Sequence, residues 1–209
     1  DLANLSSAAL RAWSTTQFDA LTSVQMAALT TAQVAVLSTG QVSALTGSQV
    51  AGLSTSTLQS LSTDHVAALT ETQVKALTTT EVAAMTTAQV KALTSVQLNQ
   101  LEDGQLAAMT GAQVGALDTV DLAQLSTSQM QALSNAGVAG LKTEQLSQLT
   151  TTKVAALTAN QVRSLTTAQI ASLTTAQVSS LSADQVQALS ATQISKMETA
   201  DVAVLSTEA

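Results

Sequence analysis

The sequence predicts an all-α fold, a solenoid or superhelix of short capped helices with one helix per eight-residue repeat. Three observations predict it. Two apolar columns run through the chain with a period of eight, a helix-capping signature follows one of them in most periods, and the charged residues are sorted by helix polarity.

The first column steps by eight from Leu5 through Trp13, Leu21 and Leu29 to Leu205, and 22 of its 26 positions are Leu. The others are Trp13, Met85, Met109 and Met197. The second column starts at Leu2 and passes through Leu10, Phe18, Met26, Val34 and Val42 to Ile194 and Val202. No insertion or deletion shifts the phase, so residues 1–209 are read as one continuous array of about 26 units, with 1–20 as atypical N-terminal units. The typical unit is [ST]-T-x-Q-V-x-A-L, as in Thr30-Thr31-Ala32-Gln33-Val34-Ala35-Val36-Leu37.

One continuous helix is excluded by geometry. Eight residues at about 100° each leave the apolar stripe drifting by roughly 80° per repeat, so no single partner surface follows it. A regular strand fits poorly too. Columns three residues apart would point to opposite faces, and Ala, Leu and Gln favour helix. A short helix that restarts in every repeat remains.

The restart has its own chemistry. The residue after the first column is Ser or Thr in 22 of 26 repeats, and three residues later Gln or Glu stands in 18 of 26. This is the capping box: the hydroxyl accepts from an orphan N–H of the first turn, and the Gln or Glu side chain accepts from the cap residue's own N–H. The column Leu then takes the N′ position and the following Val the N4 position, the two places of a hydrophobic staple. Charge agrees with this polarity. Of 14 acidic residues, 13 lie between the cap and N3, Asp19 being the exception, while five of seven basic residues (Arg11, Lys75, Lys91, Arg163, Lys196) lie just before the column Leu. Acids at helix starts and bases at helix ends complement the helix dipole. Lys142 and Lys153 run against the trend.

About seven residues remain for each helix, roughly 10 Å at 1.5 Å per residue, too short to persist alone in water. Each helix must therefore pack on its neighbours, with Val and Leu turned to a shared interior. The eight glycines fall in several different phases, so the joint is predicted to need no left-handed glycine.

Composition narrows function. The chain has 209 residues, a net charge of −7, 10% charged residues, no Cys, Pro or Tyr, one Trp, one Phe and one His. Seven scattered basic residues argue against nucleic acid, and apolar runs of a few residues do not span a membrane. The sequence holds neither a Cys nucleophile nor a Gly-rich phosphate loop, and its many Ser and Thr are caps lacking a candidate base. No catalytic, cofactor-binding or metal-binding residues are assigned, and the expectation is a protein that is not an enzyme. His65 lies in the Gln column and reads as a surface substitute for Gln; Glu102, Asp103, Asp118 and Asp121 read as helix-start charge rather than calcium ligands. Trp13 and Phe18 are predicted to seal the N-terminal end of the core, with docking of a partner by Trp13 as the sharper reading. The candidate functional residues are those of the array ends: Leu2, Leu5 and Trp13 at one, Val202 and Leu205 at the other.

Runs such as Leu29-Thr30-Thr31-Ala32-Gln33-Val34 resemble the octapeptide arrays of large, repetitive bacterial surface or secreted proteins of the adhesin-like and haem-utilisation-like kind. The resemblance spans essentially the whole chain and implies an extracellular, bacterial cell-surface setting. It carries no haem site here, with His65 alone and neither Cys nor Tyr present. The function expected is that of a structural, self-assembling repeat protein forming a filament, stalk or surface-layer element by head-to-tail or lateral association. The alternative is an adhesin-type module presenting a Thr/Ser/Gln-rich face to a glycan, a surface or ice.

Overall fold

The computed structural model describes residues 2–205. Those residues form one short 3-10 helix, Leu2–Asn4, followed by 25 α-helices at one per repeat, and contain no strand. The helices are four to seven residues long, most of them five or six. They fall short of the seven residues expected because the column Leu has already left helical geometry. Leu77, for example, has φ −56° and ψ 135°. The cap that follows is extended as well, Thr78 having φ −72° and ψ 158°. Two successive extended residues make the corner, and the cap hydroxyl restarts the helix. In a typical joint, the Gln97 N–H donates to Thr94 Oγ1 at 3.2 Å and the Thr94 N–H donates to Gln97 Oε1 at 2.7 Å. Both halves of the predicted box are present there. No described residue, glycine included, has a positive φ, so a β-region cap alone turns the chain.

Packing divides the chain into two compact units, Asp1–Ala108 and Met109–Ala209. Inside each, a helix rests on the helix three repeats before it. In the first unit Ser23–Ala27, Gly47–Val50 and Glu71–Ala76 are stacked in this way; in the second, Gly111–Val114, Asn135–Ala139, Ala159–Ser164 and Ala183–Ala188 are. Both apolar columns turn inward. Val42, Val74, Leu106, Leu146 and Val162 are wholly buried, and Leu45, Leu77, Leu141 and Leu165 nearly so. Burying one such side chain is worth about 1.5–3 kcal/mol, so the repeated Val–Leu pair is the main stabilising contribution of each octad.

The side-chain bonds that tie one turn of the coil to the previous one span 25 to 31 residues, from Arg11 Nε to the Val36 carbonyl at one extreme to Gln73 Nε2 to the Val42 carbonyl at the other. Three octads are 24 residues and four are 32, so within each unit a turn takes between three and four repeats. The turns approach most closely in the second unit. A Cβ placed on Gly115 would lie 2.5 Å from the Gly140 carbonyl oxygen, and one on Gly111 would lie 2.7 Å from that of Ala136. Glycine at 111, 115 and 140 thus lets backbone meet backbone between Gly111–Val114 and Asn135–Ala139.

Candidate functional site

Gln at N3 has a second role besides the capping box. Its side-chain oxygen accepts from the cap N–H, and this leaves the amide NH2 pointing across the corner toward the previous turn. In the repeat of Glu71–Ala76, the Thr70 N–H donates to Gln73 Oε1 at 2.7 Å, while Gln73 Nε2 donates to the carbonyls of Val42 at 2.8 Å and Leu45 at 2.6 Å. One side chain therefore satisfies the cap N–H of its own helix and donates to two carbonyls at the end of an earlier one, the Val42 carbonyl accepting from the Leu45 N–H as well. The pattern recurs 28 and 31 residues upstream for Gln89, Gln97 and Gln105 in the first unit and for Gln161, Gln177 and Gln193 in the second. These amides form a buried ladder: Gln73, Gln161 and Gln177 are each 1% exposed. Removing one strands buried polar groups on both sides, which costs about 1–3 kcal/mol.

Substitutions in the Gln column show what the position requires. His65 is buried, at 6% exposure, and is not the surface substitute that its place in the sequence suggests. Its Nδ1 accepts from the Ser62 N–H at 3.2 Å, and Nε2 lies 2.8 Å from the Leu37 carbonyl. With Nδ1 accepting, the hydrogen sits on Nε2, so the ring reproduces both functions of Gln with one donor fewer. Lys153 keeps only the upstream half, Nζ donating to the Ala123 carbonyl at 2.5 Å. Glu81 keeps only the cap half: Oε2 accepts from the Thr78 N–H at 2.7 Å, while Oε1 is buried without a hydrogen-bond partner. Burial of this column also removes most glutamines from the exposed face. The surface that remains is rich in Thr and Ser, not in Gln.

The residues singled out from the sequence gather at the first and last turns. Leu2 and Leu5 are half-buried, and their carbonyls accept from Gln33 Nε2 at 2.8 and 2.9 Å. Trp13 is half-buried, packs edge-on against the fully buried Phe18 with ring centroids 5.6 Å apart, and offers its carbonyl to Gln41 Nε2 at 2.8 Å. At the other end Val202 is 40% exposed and Leu205 is half-buried. Ile194, in the same column as Val202, is 39% exposed where Ile170 is fully buried. A cavity of about 280 Å³ opens there, lined by Val178, Leu181, Val186, Val204 and Leu205 among others. Among the described residues, no helix is long and apolar enough to cross a membrane.

Periodic capping, stacking of neighbouring turns and a ladder of one residue type define a helical repeat solenoid. The repeat itself is a known one. The ALTTAQ repeat matches residues 1–31, 26–55, 48–79, 73–102, 82–119, 114–151, 138–183 and 154–191, and the chain belongs to that family. Ala28-Leu29-Thr30-Thr31-Ala32-Gln33 spells the motif letter for letter, from the end of one helix through the corner to the buried amide. No curated protein matches the sequence.

Proposed function

We propose that this chain is a structural element, a self-associating repeat array serving as a filament, stalk or surface-layer component outside a bacterial cell. The family supports a repeat-based structural protein. Self-association is supported by one observation above all: interior turns of the array bury their apolar columns against neighbouring turns of the same octad, as Ile170 and Val178 are buried, so the unit that stabilises the array is itself a stacking unit. The extracellular setting rests on the resemblance to repetitive bacterial surface proteins. Catalysis has no part in the proposal.

The test is sedimentation of the 209-residue chain against a Val202→Lys/Leu205→Lys variant, with electron microscopy of both. The unmodified chain forms elongated assemblies and the variant does not. A chain that stays monomeric at high concentration overturns self-association and leaves a rod or spacer. Saturable binding of a soluble glycan at one mid-array position would instead favour the adhesin reading, for which exposed N1 threonines such as Thr31, Thr39, Thr63 and Thr87 supply the surface.

A further inference from the structure

One rung of the glutamine ladder carries an acid. Glu81 stands at N3 of Thr79–Ala84, in the Gln column, and is 3% exposed. Its Oε2 is engaged at the cap, accepting from the Thr78 N–H at 2.7 Å and from Thr78 Oγ1 at 2.8 Å. Its Oε1 is buried and has no hydrogen-bond partner. The neighbouring rungs show what this oxygen faces. Gln73 Nε2 donates to the carbonyls 31 and 28 residues upstream, those of Val42 and Leu45, and Gln89 Nε2 donates to those of Leu58 and Leu61. Gln97 and Gln105 also reach the carbonyl 30 residues upstream, at 3.3 Å each. At these offsets Glu81 meets the carbonyls of Val50, Ala51 and Leu53, at and just beyond the end of Gly47–Val50. The Val50 carbonyl accepts from the Leu53 N–H at 3.0 Å and keeps a second lone pair. Three carbonyl oxygens and one carboxylate oxygen therefore converge, and the Glu81 side chain brings no donor to them.

The equivalent place elsewhere in the array holds a positive charge. Lys153 also stands in the Gln column, and its Nζ donates to the Ala123 carbonyl, 30 residues upstream, at 2.5 Å. The carbonyl cradle accommodates a cation where the N3 side chain supplies one. At Glu81 the side chain supplies the anion instead.

We infer that Glu81 Oε1 and the carbonyl oxygens of Val50, Ala51 and Leu53 form a binding site for a monovalent metal cation. Ligands that are all oxygen select a hard cation. Charge selects the valence: one carboxylate and one monovalent cation leave the buried site neutral, whereas a divalent ion leaves an uncompensated charge. The cation joins Glu81 to the preceding turn as an amide does at the other rungs. The site lies wholly within the first unit, and the inference is independent of the self-association proposed above.

The test is thermal unfolding of the full chain, followed by circular dichroism, as sodium chloride or potassium chloride replaces choline chloride at constant ionic strength and neutral pH. Choline is too bulky for the cradle, so screening stays fixed while the ligand varies. The melting temperature should rise by about 2–4 °C with one or both metal ions. Glu81→Gln restores the amide of the other rungs, so it should fold, and its melting temperature should ignore the exchange. An unmodified chain indifferent to both metal ions, or a Glu81→Gln variant that responds as strongly as the unmodified chain, overturns the site. Stronger stabilisation by calcium at matched ionic strength, lost in Glu81→Gln, overturns the valence. A chain that ignores all three metal ions but gains stability on acidification, with Glu81→Gln losing that gain, overturns the cation and puts a proton on Oε1 in its place.

Discussion

Two stretches of the second unit, 110–157 and 158–197, are built on the same octad but differ in how uniformly the N3 position is Gln, although the earlier one uses the same link at Gln145, whose Nε2 donates to the Leu117 carbonyl at 2.6 Å. In the later stretch the N3 residue is Gln five times in succession, at 161, 169, 177, 185 and 193, and each amide donates to carbonyls of an earlier turn. In the earlier stretch the same phase reads Gln113, Asp121, Gln129, Gly137, Gln145 and Lys153. The glycines at 111, 115 and 140 bring backbones into contact there. The apolar columns do not register the change: Val114, Leu122, Met130 and Val138 are wholly buried, as are Val162, Ile170 and Val178. The columns hold the coil together everywhere, and the polar link between turns is a second layer that varies along the chain.

The largest expected effect tests that shared core. Leu133→Ala and Leu165→Ala should each cost about 2–5 kcal/mol in equilibrium unfolding, since both are at least 96% buried and start a capped helix. A Leu133 variant far milder than the Leu165 variant would show that the earlier stretch is not held by the column. Next comes the backbone approach. Gly140→Ala pushes a methyl into the Gly111 backbone and should cost about 1–3 kcal/mol, whereas Ser172→Ala, at the same octad phase, should cost less. Equal melting temperatures for these two variants would remove the glycine contact from the account. The smallest effect is that of a single cap. Thr166→Ala loses the acceptor for the Gln169 N–H and should cost on the order of 1 kcal/mol, read from the unfolding midpoint.

The local half of this structure was legible in the sequence. Period-eight columns, capping boxes and charge polarity located every corner, because a cap, its N3 partner and its staple all lie within a few residues of one another. The link between turns was not legible. The partners of Gln97 lie 28 and 31 residues upstream, and a pattern with a period of eight repeats identically at every multiple of eight, so it contains no signal for how many repeats complete a turn. The capping box also accounted fully for the presence of Gln, which hid the second use of its amide and made His65 look like a surface residue. One signal was present: Lys153 is a poor N3 residue for a capping box, and it makes sense only once a donor is required there. The candidate residues Leu2, Leu5, Trp13, Val202 and Leu205 were located by column phase alone.

The central claim is that the N3 Gln stabilises the array through its buried amide in addition to its capping oxygen. Comparing Gln169→Glu with Gln25→Glu tests this most directly, since both keep a side-chain oxygen for the cap N–H and only Gln169 donates upstream, to Ala139 at 3.1 Å and Leu141 at 2.6 Å. In dilute solution at neutral pH, thermal and denaturant unfolding should show a loss of about 2 kcal/mol or more for Gln169→Glu, which sets a buried carboxylate against carbonyl oxygens. Gln25→Glu should leave the unfolding midpoint where it was. Equal shifts for the two variants, or none for Gln169→Glu, would contradict the claim and reduce the Gln column to its capping role.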